Sequence, residues 1–368
     1  MRVLLVSANF RPSVGGIERF VEILGEGLAA RGHDVTVATC HHRGGPRVEE
    51  RNGVRIVRIP AGDVVRARLN VPYPLAWPPS LVRTLRRLAR EADVVHAQDG
   101  VYMTTVAALR LAHRHRTPSV LTQHVAFVPQ ARAALDLAQR LAIRAVGPTV
   151  RLAGVVASYN PSVAEWARRT WGLREVRLLP IGIPAAEVPE EERSAVRAEL
   201  GVRDGAFLAL FTGRDVAKKR LDVFLGARDP AYELVAVTDR RGAGEPGARL
   251  LPFTTPERYS RLLAAADAFV LPSEGEGFPL ALQEALVAGI PCLVTREPGY
   301  ERFLEEGDVV FVPPEPEAIR TELRRLAGDP ARHAELAAAA REAGARRFGV
   351  EAFVDAYERL YAELTARP

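Results

Sequence analysis

Short apolar runs alternate with longer amphipathic stretches from the first residue of the chain onward. Residues 3–7 carry a short apolar run, 16–31 carry apolar positions at helical spacing, and the alternation continues through 34–39, 92–97 and 118–124. That is a βα alternation, which predicts a parallel sheet covered by helices on both faces. The pattern pauses at 179–192, where Pro180, Pro184, Pro189 and an acidic run exclude a central strand or a helix interior. The domain linker is placed there. The alternation restarts at 206–212 and runs through 221–227, 232–239, 256–266, 268–271 and 280–288. Helical stretches rich in Ala, Arg and Glu follow at 317–327 and 329–347. The fold class expected is α/β: two doubly wound domains, 1–180 and 181–350, with a last helix within 351–368 packing back on the first.

A length of 368 residues suits two cores rather than one. With 48% hydrophobic and 26% charged residues the chain reads as soluble and globular, not fibrous or disordered. Cys40 and Cys292 stand far apart without CxxC or Cys/His spacing, which points away from a zinc site or a disulfide framework and toward a reducing cytoplasm. The apolar run 3–6 is too short for a signal peptide or a spanning helix. Net charge is +5, but residues 1–180 hold 26 Arg against 13 Asp and Glu, so the first half is strongly basic and the second acidic. A basic half suits an anionic partner, and a base-composition bias toward Arg gives the same excess. Within it, residues 66–90 set Leu75, Trp77, Leu81, Leu85 and Leu88 beside Arg83, Arg86, Arg87 and Arg90. Such a segment fits an anionic membrane surface or an ordinary surface helix. No nucleic-acid partner is expected.

Candidate chemistry lies in four loops that each follow a strand. In 272–285, PSEGEGFPLALQEA, a turn containing Gly277 and a helix opening near Phe278, Pro279 and Leu280 would present backbone N–H groups to a diphosphate. Pro279 suits the first helical turn. Glu276 in the turn and Glu284 inside the helix would flank that anion, one accepting from a sugar and one from a ribose diol. In 212–222, Arg214 and Lys219 follow Gly213, and a guanidinium with an ammonium can neutralise a leaving diphosphate. The chain has 48 Arg and only two Lys, Lys218 and Lys219, both here. In 9–19, Gly15 and Gly16 let the backbone approach a ligand closely. His124 ends a fourth strand, at the edge where open α/β sheets bind ligands. The sequence 242–247 matches G-x-G-x-x-G, but Pro246 and an extended stretch follow where a dinucleotide fingerprint needs a helix. Ser158, Cys40 and Cys292 lack the surroundings of a triad. His96 reads equally as core or site, and histidines 41, 42, 113, 115 and 333 read as surface.

Taken in order, Gly15-Gly16, Arg31-Gly32-His33-Asp34-Val35, Asp93-Val94-Val95-His96, Arg214 with Lys219, Leu271-Pro272-Ser273 and Glu276 with Glu284 resemble the retaining GT-B glycosyltransferases of family 4. The resemblance implies two Rossmann-like domains facing across a cleft and a nucleotide-sugar donor, UDP- or GDP-type, held by the second domain. A hydroxyl acceptor, lipid-linked or part of a cell-envelope glycan, would be held by the first. It also implies retention of configuration, no metal and no other cofactor, and a cytoplasmic enzyme, peripheral on the inner membrane face if the basic half docks there. Glu284 would bind the ribose, Glu276 and His124 the sugar, and Arg214 and Lys219 the diphosphate, with Gly16 near the phosphates. Ile181 stands where such proteins usually have Asn, and Arg220 and Pro279 where they have Gly. An epimerase, a phosphorylase or a non-catalytic sugar-binding protein on the same architecture are the rival readings.

Overall fold

A computed structural model describes the chain except residues 14, 42–45, 63–72, 128–132, 186–187, 243, 246, 276–277, 299, 301–302 and 367–368. The chain divides into a first unit, Met1–Gly182 with Val350–Pro368, and a second, Ile183–Gly349.

The first unit holds a sheet of β1 (Arg2–Val6), β2 (Asp34–His41), β3 (Val48–Arg51), β4 (Val54–Gly62), β5 (Leu75–Ala76), β6 (Val94–Gln98), β7 (Ser119–Thr122), β8 (Val155–Ser158) and β9 (Arg177–Leu178). Its order is β3-β4-β2-β1-β6-β7-β8-β9, with β3 and β5 antiparallel to β4 and the rest parallel. Val3–Val6 are at most 1% exposed, as a strand covered on both faces must be. From β1 the order runs outward both ways, so the switch lies between β1 and β6. Steps from β4 to β6, β7 and β8 all move toward β9, and right-handed crossovers put helices Pro78–Glu91, Met103–His115 and Ala133–Ala145 on one face. Helix Gly16–Ala30 lies on the other, where helix Val350–Thr365 joins it. Arg31 reaches Glu351, Asp355 and, at 2.7 Å, Glu358, while His33 Nε2 is 2.8 Å from Glu358.

In the second unit the strands are β10 (Phe207–Thr212), β11 (Tyr232–Val237), β12 (Gly244–Glu245), β13 (Ala248–Leu251), β14 (Ala268–Leu271), β15 (Cys292–Val294) and β16 (Val310–Phe311). Their order is β12-β13-β11-β10-β14-β15-β16, parallel except β12, with its switch between β10 and β14. The 242–247 segment runs into this β12–β13 hairpin, not into a helix. Helix Pro330–Phe348 packs on helix Leu280–Val287 at Gly344, where a Cβ would fall 2.4 Å from the Leu286 carbonyl carbon.

Candidate active site

Helices that leave the strands beside each switch open without a side-chain cap. Their N-cap residues are Gly15 after β1, Tyr102 after β6, Arg220 after β10 and Pro279 after β14. Elsewhere the ends vary: Asn160 caps Ser162 and Val163, Thr255 caps Arg258 and Asp329 caps Arg332, whereas the helices that start after Trp77 and Glu315 have no side-chain cap. Uncapped N–H groups need an acceptor, and those beside the switches lie at the edge where open α/β sheets bind ligands.

In the second unit Gly213 follows β10, and a Cβ there would come 3.3 Å from Lys219 Cδ. The Lys219 stem therefore folds over Gly213, and Lys219 is half-buried whereas Lys218 and Arg214 are exposed. The loops after β10 and β14 are tied together, because Glu274 donates its backbone N–H to the Lys218 carbonyl at 2.8 Å. Arg220 pairs with Glu274 by a short contact and lies 3.8 Å from Asp222. Gly275 has φ +69° and donates its N–H to Glu297 Oε1 at 3.0 Å. Glu276 and Gly277 lie outside the described residues.

Phe278 is 3% exposed and turns its ring into Phe303, Phe348 and Tyr300, so only its backbone is left for a ligand. Pro279 stands one position earlier than the sequence suggests: it is the N-cap, and Leu280, 41% exposed, is the first helical residue. Glu284 is half-buried, and burial pushes its carboxyl up to about 7. Nearby, Thr212 Oγ1 and the Tyr259 hydroxyl are buried without a well-formed hydrogen bond, and burial followed by the Glu284 charge pushes the Tyr259 phenol up. Among the described residues these groups have no well-formed hydrogen-bond partner, and the Glu284 charge acts on the Tyr259 hydroxyl.

In the first unit, among the described residues outside its own helix backbone and chain neighbours, no atom lies within 4 Å of where a Gly16 Cβ would stand, while one on Gly15 would meet the Glu18 carboxylate. The loop before them is braced by buried charge: Arg58, 6% exposed, donates to the Arg11 carbonyl at 3.0 Å, and Arg11 pairs with Glu22. His124, 6% exposed, has Nε2 2.8 Å from Gln98 Oε1 and packs edge-on against Phe20 at 4.7 Å. Burial holds it down to about 3, so it is neutral. His96 belongs to the core, with Nδ1 2.6 Å from the Tyr361 hydroxyl and Nε2 2.8 Å from Thr122 Oγ1. His333, expected at the surface, is half-buried with Nε2 2.8 Å from the Asp267 carbonyl.

Sequence reasoning missed Asp99. It follows β6 at the switch with φ +50°, is 2% exposed, and accepts the backbone N–H groups of His124 and Val125. Burial pushes its carboxyl up to about 7. The available signal was an acidic residue directly after a predicted buried strand, Val94–Gln98. Among the described residues no group of three or more His, Cys, Asp or Glu side chains is placed to hold a metal ion.

The family model for Glycosyltransferase Family 4 matches residues 14–187, and that for Glycosyl transferases group 1 matches 245–345. The chain belongs to glycosyltransferase family 4. D-inositol 3-phosphate glycosyltransferase of Nocardiopsis dassonvillei is 28% identical to it over 411 aligned positions, covering 99% of this chain and 95% of that protein. GDP-mannose-dependent alpha-mannosyltransferase of Mycobacterium tuberculosis is 29% identical over 319, covering 80% and 78%. Alpha-monoglucosyldiacylglycerol synthase of Acholeplasma laidlawii is 24% identical, covering 83% of each chain. In fold the chain is similar to sucrose-phosphate synthase from Thermosynechococcus elongatus, with TM-score 0.65, 21% identity and both chains fully covered. It is similar also to Anabaena HepE in complex with UDP, with TM-score 0.69 and 17% identity over 99% of this chain and all of that one. The two-domain GT-B class is thereby established, as is nucleotide-sugar-dependent glycosyl transfer. In this family 4 glycosyltransferase Arg220 stands at φ +50°, which explains why glycine is the residue expected there.

Proposed function

We propose that this glycosyltransferase moves a sugar, with retention of anomeric configuration and without a metal or other cofactor, from a UDP- or GDP-type donor to a hydroxyl of a lipid-linked or cell-envelope glycan acceptor. The supporting observation is the convergence at one sheet edge of the second unit of Lys219 folded over Gly213, the uncapped start of helix Leu280–Val287 and the half-buried Glu284, which has no hydrogen-bond partner among the described residues. A diphosphate with a ribose is the ligand whose charge and diol match those groups.

In this reading the second unit holds the donor and the first the acceptor. The acceptor oxygen attacks the anomeric carbon on the face that the phosphate leaves; the carbon–phosphate-oxygen bond breaks and the departing phosphate takes the acceptor's proton. Negative charge gathers on the diphosphate, and Arg214, Lys219 and the helix opening near Gly277 and Leu280 stabilise it by preorganised electrostatics. Glu284 accepts from the ribose, Glu276 and neutral His124 orient the sugar, and Gly15 and Gly16 allow close approach to the phosphates. One relative is named for GDP-mannose and another for a glucosyl diacylglycerol; a donor and an acceptor of those kinds fall within the proposal. The setting proposed is the cytoplasmic face of a membrane, with the protein attached peripherally.

A thermal-shift screen over UDP-, GDP- and ADP-sugars, with and without chelator, tests it. A matching donor at about 100 times its Kd should add about 2.7 kcal/mol of stability, unaffected by chelator, and NMR of the product should show the donor's anomeric configuration. No shift from any nucleotide sugar would sink the donor site, and an inverted product the stereochemistry.

A further inference from the structure

The helical layer on one face of the first unit leaves apolar side chains in solvent among exposed arginines. Trp77 is 66% exposed and Val82 37%, at the start of helix Pro78–Glu91, while Leu137 and Leu141, one helical turn apart on helix Ala133–Ala145, are 58% and 55% exposed. Side chains at that spacing share a helix face. A soluble helix normally turns such a stripe toward a core; here the inward residues are others, Leu81, Leu85, Leu88 and Ile143, all in one cluster beneath the layer.

Charge accompanies the stripe. Among the described residues no carboxylate pairs with Arg83 or Arg86, and with Pro78, Pro79 and Val82 they line an open groove of about 450 Å³. Arginines of two helices converge next to it: after burial, the charges of Arg90, Arg114 and Arg86 all depress His115. The position matters as well. β5, which carries exposed Leu75, pairs with the end of β4, and exposed Val125 directly follows His124. The uncovered apolar groups therefore begin at the sheet edge that holds Gly16 and His124.

We infer that this layer is a docking surface for an anionic lipid bilayer, entered by Trp77, Val82, Leu137 and Leu141 and held by Arg83 and Arg86. The inference rests on the proposed lipid-linked acceptor and deepens it. An aromatic ring and short aliphatic groups sit at headgroup depth, guanidinium groups bind lipid phosphates, and neither requires insertion of a helix. Among the described residues no helix is long and apolar enough to cross a membrane. With the bilayer on this face, a lipid-borne hydroxyl arrives at the carboxyl edge of the sheet without leaving its membrane. The second stripe, on Leu137 and Leu141, was outside the segment singled out from the sequence and doubles the footprint.

Co-sedimentation of the full chain with phosphatidylglycerol and with phosphatidylcholine vesicles tests the surface. Wild type should partition to the anionic vesicles at least about ten-fold more strongly, and added salt should weaken it. Trp77→Ser/Val82→Ser, Leu137→Ser/Leu141→Ser and Arg83→Glu/Arg86→Glu should each lower partition about ten-fold at unchanged Tm. Nucleotide-sugar binding, read in the same proteins, should not move. Equal binding to both vesicle types, no binding to either, an unaffected Leu137→Ser/Leu141→Ser variant, or displacement from vesicles by duplex RNA would each overturn the surface. Intact donor binding without vesicle binding removes the surface and leaves the glycosyltransferase reading; vesicle binding without donor binding does the reverse.

Discussion

The Asp99 carboxylate accepts the backbone N–H of His124 at 2.8 Å, joining the ends of neighbouring strands β6 and β7. Among the described residues no cation acts on this carboxyl, so burial dominates and raises it to about 7. A carboxyl raised in the folded state keeps its proton there while the unfolded chain has lost it. Folding then takes up a proton, and stability falls as pH climbs from about 4 to 7. Asp99→Asn keeps the shape and one acceptor oxygen for the His124 N–H but removes the charge. It should stabilise the protein by about 2 to 4 kcal/mol at pH 8, with little gain at pH 4, and should lower turnover. Melting curves across that pH range decide the matter: parallel profiles for the two proteins would mean that Asp99 does not titrate there.

Lys219→Ala is expected to lower kcat by about 100- to 1,000-fold, as loss of one preorganised charge-stabilising group does, with a smaller effect on donor affinity. Lys218→Ala should remain near wild type, because Lys218 contributes its carbonyl to Glu274 and its side chain is exposed. Arg214→Ala should resemble Lys219→Ala, and the double change should be less than additive. Steady-state kinetics of the four proteins test this. A damaging Lys218→Ala beside a neutral Lys219→Ala would reverse the assignment.

Glu284 has no described partner, and its carboxyl is raised to about 7 by burial. If a ribose diol donates to it, affinity for the free nucleoside diphosphate should strengthen as pH rises toward 8. Glu284→Ala should weaken donor and nucleotide diphosphate alike by about 1.5 to 3 kcal/mol. Glu284→Gln should bind at intermediate strength and lose the pH dependence. Calorimetric titration at pH 6 and 8 reads both, and an unchanged affinity in the alanine variant would show that the ribose is held elsewhere.

Arg220 occupies the left-handed region at φ +50°, where any Cβ costs about 1 to 2 kcal/mol. Its compensation is a half-exposed pair with Glu274, of the kind that contributes little. Arg220→Gly should therefore be neutral or stabilising in urea unfolding, and Arg220→Val destabilising. Equal losses in both would assign the stability to the ion pair rather than to the backbone.

The strands were legible because parallel strands buried on both faces are largely apolar, as Val3–Val6 and Leu234–Val237 are. The loops after β10 and β14 were legible because lysine is rare in this chain and glycine recurs beside acidic residues. Asp99 was not, since its burial depends on amides that arrive from residues 124 and 125 after a whole helix. Nor was the true setting of His333, whose acceptor at Asp267 is 66 positions away. Helix Ala133–Ala145 was passed over because Leu137 and Leu141 face outward and blur the apolar pattern that marks a covered face. Phe278 shows the converse: it sits in the candidate loop after β14, yet its ring belongs to an aromatic cluster.

The helix Val350–Thr365 has a consequence for how the protein is made. On the ribosome the second unit is synthesised whole while the first still lacks Phe353, Tyr357 and Tyr361. Until they emerge, Phe20 has no Phe353 at 5.0 Å, His96 has no Tyr361 hydroxyl, and Arg31 has none of its three carboxylates. His124 leans on that same Phe20. The nascent chain thus carries a finished later domain tethered to an open earlier one, and the earlier one closes only after the later one has been made.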